Sequence, residues 1–122
     1  MTATPDLADS YLAAWNATDP DARRAAITAA VTSDVRYVDP LADVTGAEQL
    51  GLLVAGVQQQ FPGAVFGLLG EPDAHHDVVR FRWGLGPEGA EPPVIGFDVA
   101  RLAPDGRIAE VLGFLDRVPS AP

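Results

Sequence analysis

Cysteine and lysine are both missing from this chain of 122 residues. Without cysteine there is no disulfide, no thiolate nucleophile and no thiolate metal ligand. All 8 basic residues are arginine, so Schiff-base chemistry and covalently held pyridoxal phosphate are excluded as well. The serines, Ser10, Ser33 and Ser120, stand in no nucleophile-elbow sequence. No glycine pattern follows a strand in the way that cradles phosphate. Asp, Glu, His, Tyr and Arg remain for chemistry, an inventory that suits proton transfer with no cofactor.

Positive charge is scarce too. Against 17 acidic residues the net charge is −9, spread along the chain rather than gathered in a tail. A nucleic acid or an anionic membrane requires a basic face, so neither is expected as a partner. No apolar run approaches the ~20 residues that cross a bilayer, and the opening MTATPDLADS has no signal-peptide pattern. A cytoplasmic protein of bacterial type is expected. Hydrophobic residues make up 48% of the chain, enough for a real core, and the length suits one domain over 1–122.

Apolar spacing predicts a helix from about Asp6 to Ala17, with Leu7, Tyr11, Ala14 and Trp15 on one face. Asp19 caps a second helix with Pro20 in its first position, ended by Ser33-Asp34. A short strand over Val35–Asp39 follows. A third helix runs over residues 46–61, with Thr45 and Glu48 spaced as a capping box. After Phe61 the texture changes to four strands within residues 64–72, 77–86, 92–104 and 107–118, the last two joined by the hairpin signal Asp105-Gly106. Helices set to one side of an antiparallel sheet make an α+β domain.

Two carboxylates break the pattern. Side chains two apart share a strand face, so Asp39 points the same way as the apolar Val35 and Tyr37. In the strand Val94–Leu102 one face carries Val94, Gly96, Asp98, Ala100 and Leu102, the other Ile95, Phe97, Val99 and Arg101. Both faces are largely apolar. One is expected against the helices, and the other against a second copy of the chain. The small Gly96 and Ala100 are expected to leave a cavity beside Asp98. On the neighbouring strand Val79, Phe81 and Trp83 share one face, and Arg80 and Arg82 the other.

The stretches YLAAWNATDPDARRAAI, VRYVDPLADVTGAEQL, RFRWGL and GFDVARLAPDGRIAEVLGFLD, in this order, resemble the nuclear transport factor 2-like superfamily, with its SnoaL-like polyketide cyclases and ketosteroid isomerases. The resemblance covers nearly the whole chain. It implies a cone-shaped fold, with three helices on a curved, mostly antiparallel sheet that encloses an apolar pocket. It also implies roles for three residues by comparison with the isomerases. Tyr11 in YLAAWN matches the oxyanion-binding tyrosine, Asp39 in VDP the general base, and Asp98 in FDVAR the protonated acid. The epoxide hydrolase branch has an aspartate where this chain places Gly113. The cyclase branch uses a histidine with an aspartate, for which His75 and His76 are the only candidates.

Each residue has a plainer reading beside its functional one. Asp39 serves as a turn residue capping nearby amides, Asp98 as the partner of Arg82 or Arg101, and Tyr11 as core with its hydroxyl satisfied by backbone. His75-His76-Asp77 reads as a hairpin turn, because adjacent strand residues face opposite ways. The favoured expectation is a cofactor-free acid–base enzyme acting on a small apolar carbonyl compound. Asp39 is its base, Tyr11 and Asp98 its hydrogen-bond donors, and Trp15, Tyr37, Phe81 and Trp83 the walls of the ligand pocket. The alternatives are a non-catalytic ligand-binding or dimerisation module and a polyketide-type cyclase. A homodimer through the sheet face bearing Ile95, Phe97 and Val99 is expected in any case.

Overall fold

Every third or fourth residue of the first helix, α1 (Thr4–Asn16), is apolar and turned inward: Ala8, Tyr11, Leu12 and Trp15 are all buried. The computed structural model describes residues 4–119. The second helix, α2 (Pro20–Ala30), starts as its sequence predicts: the Asp19 carboxylate accepts the Ala22 amide at 2.9 Å, with Pro20 in the first turn. It does not run to Ser33-Asp34. Strand β1 (Val31–Asp39) begins directly after Ala30, because Val31 and Val35 are β-branched and fully covered by the core.

A strand that the sequence reading missed comes next. After the turn at Pro40-Leu41, β2 (Ala42–Thr45) pairs back antiparallel on β1. It is four residues long and lies at the sheet edge, with Ala42 and Val44 half-covered and Asp43 and Thr45 exposed, an alternation too short to read as a strand. The third helix, α3 (Ala47–Gln60), begins at Gly46 (φ 103°), and no side chain caps it. The Thr45–Glu48 capping box is therefore not formed. Thr45 is still in the strand, and the glycine makes the turn in its place.

The second half is the antiparallel meander expected: β3 (Val65–His75), β4 (Val78–Gly86), β5 (Val94–Leu102) and β6 (Ile108–Arg117). Four of the five residues of the predicted 72–76 loop are strand. The register of β3 breaks between Leu69 and Asp73, around Gly70 (φ 71°), and the turn itself falls at His76-Asp77. The six strands form one sheet in the order β2-β1-β6-β5-β4-β3, with β1 parallel to β6. The helices cover one face, α1 lying against β3 and α2, and α3 against β1.

The end of α1 is tied down by side chains. Gln58 donates to the carbonyls of Trp15 (2.7 Å) and Ala17 (2.8 Å), and Arg23 donates to Gln58 at 2.7 Å. These bonds satisfy carbonyls that the helix itself leaves free. Asn16 adds a two-way link to the backbone of Phe66, donating at 2.9 Å and accepting at 2.7 Å. Tyr11 and Trp15 are thereby fixed over the sheet. Among the described residues, no helix is long and apolar enough to cross a membrane.

Candidate functional site

Sheet register brings the two odd carboxylates into one row. Val38 pairs with Leu112 across the parallel β1–β6 ladder, which sets Asp39 beside Gly113. Gly113 pairs with Asp98 on β5, and Asp98 with Phe81 on β4. The row Asp39, Gly113, Asp98, Phe81 lies on the helix-covered face. Strands repeat at about 4.8 Å, so the two aspartates start from backbones roughly 10 Å apart.

Aromatic rings roof this row. Tyr11 of α1 meets Phe81 edge-on at 5.9 Å between centroids and Trp15 at 6.4 Å. Trp15 lies 5.6 Å from Tyr37 and 5.2 Å from Phe66, which in turn meets Trp83 at 5.2 Å. The structure thus gathers all seven residues named from the sequence, and adds Phe66. The sequence reading did not single out Phe66, which stands in a strand with nothing local to mark it as a neighbour of these rings. The room expected beside Gly96 is not empty, because a Cβ there would fall inside the Trp83 indole. The glycine is needed so that this ring can lie flat on the sheet. In this structure the rings touch one another, so a ligand must part them to enter.

Asp39 is fully satisfied. Its Oδ1 accepts the amides of Leu41 and Ala42, both at 2.8 Å, and its Oδ2 accepts the Tyr37 hydroxyl at 2.6 Å. The plainer reading of Asp39 as a turn cap therefore holds for Oδ1, while Oδ2 faces the aromatic interior with Tyr37. Burial raises the Tyr37 hydroxyl pKa well above its usual range, and the charges of Tyr11, Asp98 and Asp39 add to this.

Asp98 has the opposite surroundings. It is 4% exposed, and its Oδ1 has no hydrogen-bond partner. Neither suggested arginine reaches it: Arg82 pairs with Asp116 at 3.8 Å and Arg101 with Glu110 at 3.4 Å. Burial raises its pKa to about 7; the Trp83 indole pulls it down, and the charge of Asp39 adds to the rise. Tyr11 is 1% exposed, and its hydroxyl is likewise without a partner, so backbone does not satisfy it. Burial and the nearby Asp98 raise its pKa further. Two buried polar groups with no partner in the protein thus share one apolar interior.

The histidines take no part. His75 ends β3 and His76 sits in the turn with φ 51°, both exposed. Among the described residues, no group of three or more metal-ligating side chains stands together.

Comparison with known proteins agrees with this architecture. A protein from Agrobacterium tumefaciens strain C58, described as a "putative isomerase of the SnoaL-like family", is 40% identical, with a TM-score of 0.89 over 95% of this chain and 99% of its own. A SnoaL-like protein of unknown function from Burkholderia thailandensis superposes with a TM-score of 0.73 at 20% identity, over 92% of this chain and 93% of its own. A "putative SnoaL-like polyketide cyclase" from Jannaschia superposes at 0.69 with 19% identity, over 95% and 93%. At such identities these last two share the fold alone. No curated protein sequence matches the chain. The SnoaL-like domain model matches residues 8–111, and the chain belongs to that family.

Proposed function

We propose that this protein is a cofactor-independent acid–base enzyme that moves a proton through an enolate on a small, mostly apolar carbonyl compound, as an isomerase does. The observation that carries the reading is the pair of starved donors, Tyr11 and Asp98, with Asp98 in the same sheet row as a second carboxylate two strands away. A carbonyl oxygen placed between them accepts the Tyr11 O–H and the proton that burial keeps on Asp98. Asp39 Oδ2 takes the proton from the carbon next to the carbonyl. The C–H electron pair forms the enolate C=C bond as the C=O π pair moves onto the oxygen; the reverse flow then takes the proton back from the same carboxyl at another carbon. The aromatic roof excludes water and strengthens both hydrogen bonds.

The relative from Agrobacterium, described as a "putative isomerase", supports this reading. A cyclase would use the same protonated Asp98 to deliver a proton to an aldol oxygen. The two amide bonds to Asp39 favour a different reading, in which the carboxylate only shapes the β1–β2 turn and the interior binds a ligand without turning it over. Exchange of the hydrogens next to a ketone carbonyl in heavy water, followed by proton resonance over a panel of apolar ketones, separates the two. Catalysed exchange on at least one ketone is expected, and none on any would end the enzymatic reading.

The outer sheet face supports a homodimer. Phe97 stacks on Phe114 at 5.0 Å and 14°, with Phe114 53% exposed and Leu112 38% exposed. Ile95, Phe97 and Val99 are half-covered beside them. An apolar strip of this kind favours self-association. Light scattering is expected to give twice the chain mass of 12.8 kDa, and a monomer at all micromolar concentrations would refute it.

A further inference from the structure

Gly113 stands between Asp39 and Asp98 in the sheet row, and the proposed chemistry gives it no task. Its φ is not positive, so backbone conformation does not call for a glycine. A Cβ on it would stand 2.8 Å from Asp98 Oδ1 and 3.3 Å from Asp39 Cβ. The first distance is shorter than carbon and oxygen tolerate. The Asp98 carboxyl therefore lies across β6, over the bare glycine, on the side where Asp39 stands. On its opposite flank Asp98 pairs with Phe81 of β4. Two carboxyls that begin two strands apart thus approach one volume, which the missing methyl group leaves to them.

Water is nearly absent from that volume: Asp98 is 4% exposed and its Oδ1 is buried. Charges act on each other more strongly there than in solvent. The titratable groups that face Asp98 are Tyr11 from α1, and Tyr37 and Asp39 from β1. From β4 it meets Phe81 and Trp83 and from β6 Gly113, none of which titrates. Burial keeps both tyrosines neutral, and Arg82 and Arg101 pair with Asp116 and Glu110 instead. Among the described residues, Asp39 is the charged group that acts on Asp98.

We propose that Gly113 is a positioning residue that couples the two carboxyls: it lets Asp98 lean towards Asp39, so that each responds to the charge of the other. The charge on Asp39 then keeps the proton on Asp98 while the site waits. Once Asp39 has taken a proton from the substrate, that repulsion is gone. Asp98 becomes the stronger donor just as negative charge develops on the substrate oxygen. This role deepens the proposed acid–base reading and rests on it for its use, but the coupling itself belongs to the protein alone.

A pH titration of the ligand-free protein, with the Asp98 carboxyl carbon followed by nuclear magnetic resonance, tests this. The wild-type midpoint is expected at about 7. Asp39→Asn removes the charge and is expected to lower that midpoint by about one pH unit. Gly113→Ala turns the end of the Asp98 side chain aside, and a melting curve shows that it folds. In that background Asp39→Asn is expected to move the midpoint by about half as much or less. The Gly113 α-protons of the wild type are expected to shift with the Asp98 midpoint, a reading that needs no variant. A midpoint that ignores Asp39→Asn, an equal shift in both backgrounds, or α-protons that do not follow Asp98 overturns the proposal. Coupling without hydrogen exchange on any ketone would remove the catalytic reading and leave the role of Gly113 standing. Catalysed exchange in a protein whose two carboxyls titrate independently would do the reverse.

Discussion

Asp39 and Asp98 share one row of one sheet, two strands apart, in contrasting surroundings. Asp39 closes a hairpin and receives three hydrogen bonds. Asp98 sits in the middle of a central strand under aromatic rings, with one oxygen unpartnered and a pKa near 7. Position in the strand makes the difference. At a strand end the backbone turns, and its amides become available to a side chain. In mid-strand those amides are committed to the ladder, and a side chain must find partners elsewhere or go without. Two residues of the same type thus meet opposite surroundings, which in the proposed reaction suit a base and a neutral donor.

The largest effect that would break this contrast is on turnover at Asp39. Asparagine keeps an oxygen for the Leu41 and Ala42 amides but has no basic oxygen to offer a substrate. Asp39→Asn is expected to lose ~10²–10⁴-fold in hydrogen exchange with its melting temperature nearly unchanged. Asp39→Ala removes both amide bonds and orphans the Tyr37 hydroxyl, and is expected to cost roughly 2 kcal/mol in denaturant unfolding. An Asp39→Asn protein that turns over like the wild type would reduce Asp39 to its turn.

Asp98 sharpens the contrast through pH. Its pKa in the folded state lies near 7 against an ordinary 3.8. Between those values the folded protein holds a proton that the unfolded chain has released. The stability this residue contributes is therefore fully present below about pH 4 and lost as pH rises to about 7. Asparagine cannot titrate. The difference in unfolding free energy between wild type and Asp98→Asn is expected to change by on the order of 4 kcal/mol across that window, in the direction that weakens the wild type as pH rises. Parallel profiles for the two proteins would show that Asp98 is not desolvated.

What the sequence made legible follows the same division. Period-two alternation identified the inner face of β5, and with it Asp98, because every second residue from Val94 to Ala100 is buried. The Asp-Pro pair located Asp39 at the end of its strand. The helix order, the meander and the Asp105-Gly106 hairpin were legible for similar local reasons: Gly106 has φ 90°, and the Asp105 carboxylate accepts the Arg107 amide. Long-range partnership was not. β2 offers only Ala42 and Val44 as an apolar face, and the parallel β1–β6 ladder joins residues over seventy positions apart. The indole filling the space at Gly96, the Asn16–Phe66 link and the close approach of the Asp98 carboxyl to Gly113 each depend on a neighbour from another strand or helix. No spacing rule encodes such neighbours.

The smallest expected effect is on the stability of a Tyr11 variant, and its sign makes it informative. A buried hydroxyl that has lost water and gained no partner costs free energy, whereas one that is bonded contributes it. Tyr11→Phe removes the oxygen and keeps the ring that packs on Trp15 and Phe81. Stability is then expected to stay level or rise by up to ~1 kcal/mol, read as a higher melting temperature. Turnover is expected to fall by ~10²–10³-fold, as for the loss of one donor to a developing oxyanion. A hydroxyl retained for structure gives the reverse pattern, a lower melting temperature with turnover intact. Opposite movement of the two readouts in one variant is what distinguishes a group held ready for a ligand from one that holds the fold together.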